Sequence, residues 1–165
     1  MVMTVFMQIG TNTGNDRFLQ LCKQYNPELI ILVEANKIHT KSINNNYKMF
    51  PNVKLFTNAI YYENDKEVSL YIPAKDGHYG NPSVQPDRKE GNHTYSHGEF
   101  SLLPMNDWGE KKNMCMFKTT TKTFDSVCDS LNVKNIEYLQ IDTEGFDSEI
   151  IRMIDLDKYN INTIR

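Results

Sequence analysis

The chain has 165 residues, 24% of them charged, and a formal net charge of −3. That length makes one domain able to bury roughly two-thirds of the surface it exposes unfolded. Acidic and basic residues are interleaved without a basic stripe, which argues against a nucleic-acid partner, and no apolar run approaches a membrane span.

The first apolar segment, Val2 to Ile9, reads as a central parallel strand, apolar on both faces. It runs into the glycine loop Gln8-Ile9-Gly10-Thr11-Asn12-Thr13-Gly14. A helix is predicted from about Asn15 to Tyr25, with Phe18, Leu21, Cys22 and Tyr25 on one face and Pro27 closing it. Strand two, Leu29 to Val33, ends in Glu34. Open α/β sheets build nucleoside pockets from this succession: the loop lets backbone approach the ligand, and the acid accepts hydrogen bonds from both ribose hydroxyls. The glycines are spaced G-x-x-x-G, whereas a pyrophosphate on a helix N-terminus usually calls for G-x-G-x-x-G. No Lys follows to make a P-loop. A cofactor with a ribose and no phosphates matches better, and S-adenosylmethionine is the first candidate. The spacing disfavours a nicotinamide-dependent enzyme.

A weaker helix, about Lys37 to Asn45, leads through Pro51 to strand three, Val53 to Ala59. Asn58 and Ala59, at its end, are expected to border the adenine. A turn at Glu63 to Lys66 enters another strand, Val68 to Ile72. From Ala74 to Lys118 the chain is rich in Gly and Pro and carries His78, His93, His97 and Trp108, which reads as a long loop or lid. Gly, Asn and Ser around His93 and His97 oppose the helix that would bring them together, so these histidines read as solvated lid residues. Tyr95 and Trp108 either stack on a sugar or staple the lid to the core. Thr123 is a plausible N-cap for a helix bearing Phe124, Val127, Cys128 and Leu131. Strand four, Ile136 to Ile141, ends in Asp142-Thr143-Glu144-Gly145. The next helix buries Phe146, Ile150, Ile151 and Ile154 and leaves Asp147 facing solvent; a fifth strand begins near Ile161. Cys22, Cys115 and Cys128 lack CxxC spacing, so a reduced, cytoplasmic setting is the simpler expectation. The sequon Asn92-His93-Thr94 would count only in a secreted protein, and a strand starting almost at Met1 leaves no room for a signal peptide.

These pieces, in this order, resemble the FkbM family of S-adenosylmethionine-dependent methyltransferases. The matching segments are Phe6 to Gly14, Leu32-Val33-Glu34-Ala35-Asn36, Thr57-Asn58-Ala59-Ile60, Thr123 to Val127 and Leu139 to Asp147. The most specific is the I-D-x-E-G element at Ile141 to Gly145. The resemblance implies a class I methyltransferase fold, an α/β doubly wound, mostly parallel, Rossmann-like sheet with the cofactor at the strands' C-terminal ends. It also implies O-methylation, typically of sugar or polyketide hydroxyls. Gly10 and Gly14 would then surround the cofactor's methionine part, with Asn12 and Thr13 offering N–H and side-chain bonds. Glu34, with Ala35, would hold the ribose, and Asp142 would lie beside the sulfonium. Asp142 and Glu144 would orient the acceptor, take its proton or hold a divalent cation. The plainer alternative is that both merely place negative charge at a helix N-terminus.

Two departures stand out. The family often has Asp where Gln8 stands; an amide there can bond the loop or the methionine ammonium without the charge attraction. The class I fold also continues past strand five into a helix and an antiparallel pair, where this chain stops. The expectation is a truncated chain, or a minimal version whose sheet edge another chain covers, making an oligomer. The reading as a whole is an O-methyltransferase acting on a sugar or other small polyol-like acceptor. Its alternative is a degenerate S-adenosylmethionine-binding module that acts through a protein partner.

Overall fold

Two strands with no solvent-exposed face organise the molecule. β1 (Val5–Ile9) and β2 (Leu29–Val33) are buried at every position, as strands covered on both sides must be. The structure, a computed structural model, describes residues 3–73 and 114–165. β1 pairs with β2 on one side and with β7 (Asn135–Ile141) on the other; β3 (Val53–Phe56) lies outside β2 and β8 (Asn160–Ile164) outside β7. All four pairings are parallel. The strand order β3-β2-β1-β7-β8 reverses direction at β1, and ligands of open α/β sheets lie beyond the carboxyl ends of the strands at such a switch point.

Helices cover both faces. α1 (Arg17–Tyr25) and α2 (Thr40–Tyr47) bury Phe18, Leu19, Cys22, Ile43 and Tyr47 against Phe6, Ile30 and Leu32. α3 (Phe124–Ser130) and α4 (Asp147–Met153) bury Phe124, Val127, Cys128 and Ile150 against Val5, Met7, Ile9 and Ile31. The doubly wound, Rossmann-like sheet expected from the sequence is therefore present. Cys22 and Cys128 are free thiols inside these cores, where burial pushes both up to about 12. Among the described residues no helix is long and apolar enough to cross a membrane.

Four local expectations need correction. α1 starts at Arg17, later than about Asn15, because Asp16 is its N-cap and accepts the Leu19 N–H at 3.2 Å. On α4, Ile151 is exposed, while its neighbour Ile150 takes the place in the core. The expected third strand divides: β3 stops at Phe56, and β4 (Ala59–Ile60) leaves the main sheet to pair with β6 (Met114–Lys122). With β5 (Glu67–Pro73) antiparallel to β6, these make a second, three-stranded sheet, β4-β6-β5. Within the stretch read as a loop to Lys118, residues 114–118 are instead the first half of β6. Their strand depends on pairing with Ser69–Pro73, a partner some forty residues away that no local pattern announces. The rest of that stretch, with His78, His93, Tyr95, His97 and Trp108, lies outside the described residues.

Candidate active site

The glycine loop leaves β1 under close constraint. Gly10 has φ +83°, and a Cβ there would lie 1.8 Å from the Asp142 carbonyl oxygen. No side chain fits between the loop and the end of β7. Gly14, at φ +69°, would set a Cβ 2.9 Å from Cε2 of Tyr47 on α2. Asn46, also on α2, donates from Nδ2 to the Thr13 carbonyl at 2.9 Å. Both glycines are thus demanded by contacts within the protein, whatever ligand the loop meets. Asn12 takes the left-handed region at φ +51°, which Asn tolerates, and its Oδ1 is buried without a partner among the described residues.

Glu34 closes the other side. It is 6% exposed, held where β2 ends by the bond from its own N–H to the Phe56 carbonyl, 2.9 Å. Its Oε2 accepts the Asn12 N–H at 2.6 Å and its Oε1 accepts the Asn36 N–H at 2.7 Å. Burial pushes its carboxyl up to about 7 against the opposing pull of the Asn36 and Asn12 amides. Each carboxylate oxygen retains a second acceptor site. Ala35, Asn58 and Ala59 fasten the second sheet to this corner. Thr119 Oγ1 donates to the Ala35 carbonyl at 3.1 Å, Asn58 Nδ2 donates to Thr120 Oγ1 at 2.9 Å, and Ala59 pairs with Thr121.

The acidic turn begins where the Asp142 N–H meets the Ile9 carbonyl at 2.9 Å. The Asp142 carboxyl is held above its usual range, first by desolvation and then by Asp147 and Asp16, with Arg165 opposing. Asp147 does not face solvent as expected. It is half-buried, its Oδ1 accepts Thr143 N–H and Oγ1–H at 2.8 and 3.2 Å, and its Oδ2 accepts the Gly145 N–H at 3.2 Å. That folded-back carboxylate sustains a tight turn in which Glu144 has φ +52°, a conformation costing a non-glycine residue on the order of 1–3 kcal/mol. The first turn of α4 carries Asp147 and Glu149. The helix-dipole role fits those two better than Asp142 and Glu144, which precede the helix.

Gln8 is fully buried and donates from Nε2 to Asp16 Oδ2 at 2.5 Å, while its Oε1 has no partner among the described residues. Asp16, Asn46 and Gln140 are the residues at this corner that the sequence reading missed. Asp16 was visible in principle, as an N-cap type just before an apolar-periodic helix. Among the described residues no group of three His, Cys, Asp or Glu side chains could hold a metal ion.

No curated protein and no solved structure matches the chain. A family model described as the Methyltransferase FkbM domain matches residues 8–165, from Gln8 at the head of the glycine loop through the whole of β8. A five-strand parallel sheet with a glycine loop at its switch point, a buried acid after β2 and an acidic turn after β7 belongs to a chain of the FkbM methyltransferase family.

Proposed function

We propose that the protein is an S-adenosylmethionine-dependent O-methyltransferase whose acceptor is a hydroxyl of a sugar or similar small polyol. The observation that carries this is Glu34, a buried carboxylate at the switch point, tied by backbone N–H bonds to the glycine loop and retaining acceptor sites on both oxygens. The residues suit this cofactor. Asn12 Oδ1 and Gln8 Oε1 are buried acceptors without partners among the described residues, and the ribose hydroxyls and ammonium of the cofactor are donors.

When bound, S-adenosylmethionine supplies an electrophilic methyl group on a sulfonium. Glu34 holds the ribose, and the loop from Gly10 to Gly14 fixes the amino-acid half by backbone approach. Asp142, at the C-terminal end of β7, orients the acceptor hydroxyl and takes its proton. A hydroxyl is a weak nucleophile near neutral pH, and a carboxylate whose proton affinity is raised by partial desolvation and by Asp147 and Asp16 is a better base. Holding the acceptor oxygen in line supplies much of the remaining rate.

Calorimetric titration with S-adenosylhomocysteine beside NAD tests the pocket, and transfer of labelled methyl groups to a panel of glycosides and polyols tests the reaction. Micromolar binding of the first ligand, with none of NAD, supports the reading. Tighter binding of NAD overturns it. Binding without transfer to any acceptor would favour a module that acts through a protein partner.

A further inference from the structure

On the α1 face of the sheet, β1 and β7 present matched residues in rungs. The lower rung is aromatic: Phe6 and Tyr138 are register partners with ring centroids 5.6 Å apart, and Phe18 of α1 packs against both. Side chains alternate along a strand, so the next rung on this face is Gln8 with its register partner Gln140. Both are buried, at 0% and 8% exposure, and the Oε1 of each lacks a partner among the described residues. Two neighbouring buried amide oxygens without donors are costly unless something supplies those donors.

Above them stands Asp16. The Gln8 amide is pinned by its Nε2 bond to Asp16 Oδ2, and Asp16 Oδ1 accepts the Leu19 N–H. Among the described residues no Lys or Arg forms an ion pair with Asp16. The corner therefore holds three acceptors and a net negative charge. A primary ammonium has three donors and a positive charge.

Resting on the function proposed above, we infer that Gln8, Gln140 and Asp16 form the acceptor pocket for the ammonium of the cofactor's amino-acid half. In this pocket Asp16 supplies the negative charge that the amide at position 8 lacks. The charge sits on the helix cap, one side chain away from the strand end.

The test is calorimetric titration of the full chain with S-adenosylhomocysteine and with 5′-methylthioadenosine, which keeps the nucleoside and thioether and lacks the amino-acid half. Asp16→Asn preserves a good N-cap and removes the charge. It should weaken S-adenosylhomocysteine about tenfold or more, as expected for a charge-assisted contact, and leave methylthioadenosine within about twofold. The swap variant Gln8→Glu/Asp16→Asn returns the charge to the strand end and should recover most of the lost affinity. Unchanged S-adenosylhomocysteine binding by Asp16→Asn overturns the proposal. So does parallel loss of both ligands, which would make Asp16 a residue of the α1 fold, or a swap variant that stays weak. Wild-type protein that binds neither ligand overturns the methyltransferase reading itself, and the pocket with it.

Discussion

A carboxylate as buried as Glu34 favours its neutral form, even though each of its oxygens accepts a backbone N–H that favours the ion. With the folded value near 7, above the ordinary 4.5, its contribution to stability is fully present below about pH 4.5 and lost as pH rises through about 7. The melting temperature of the ligand-free protein should therefore fall between pH 5 and pH 8, with a shallower slope in Glu34→Ala. Ribose hydroxyls donate best to the ion, so S-adenosylhomocysteine should release a proton on binding near neutrality. Calorimetry in buffers of different ionisation enthalpy reads that proton directly. Glu34→Ala should also weaken the ligand by about 1.5–3 kcal/mol. Asp142→Asn should bind it within a few fold and lower turnover on the order of a hundredfold. Normal turnover in that variant would remove Asp142 as the base.

Among the elements, the turn from Asp142 to Gly145 depends on one side chain. Asp147→Ala frees the Thr143 and Gly145 N–H groups, which should cost about 1–3 kcal/mol of stability. Turnover should fall more than S-adenosylhomocysteine affinity; steady-state kinetics beside calorimetry separates the two. This arrangement was not legible in the sequence, because Asp147 two places beyond a glycine looks like any acidic residue in a helix's first turn. β1 and β2 were legible, since apolar residues at nearly every position leave no other place for them than the middle of a parallel sheet. So was the N-cap at Thr123, whose Oγ1 accepts the Ser126 N–H at 3.0 Å. β6 was hidden by the distance to its partner β5. The roles of Asp16 and Gln140 were hidden as well, because they follow from which face of β1 meets α1. Glu34 was legible because a lone acid directly after five apolar residues falls at the tip of a buried strand; the loop N–H that it holds was not.

At the scale of the whole molecule, the switch in strand order gathers the glycine loop, Glu34 and the Asp142 turn at one end of the sheet, around the tips of β1, β2 and β7. Stability should be graded outward from the same strands. β1 is fully buried and paired on both sides, whereas four of the five residues of β8 are exposed. Hydrogen exchange should be slowest in Met7, Gln8 and Ile9 and markedly faster in β8. Protection of β8 equal to that of β1 would instead mean that a second copy covers this edge. The absence of room for a Cβ at Gly10 has a further consequence. The glycine loop and the Asp142 backbone share a van der Waals surface, so neither can shift without displacing the other. In the function proposed above the loop holds the cofactor's amino-acid half and Asp142 the acceptor, so on that proposal the two affinities are linked, and the linkage must be reciprocal. The affinity for S-adenosylhomocysteine should change by about fivefold or more when acceptor is saturating, which calorimetry with and without acceptor reads.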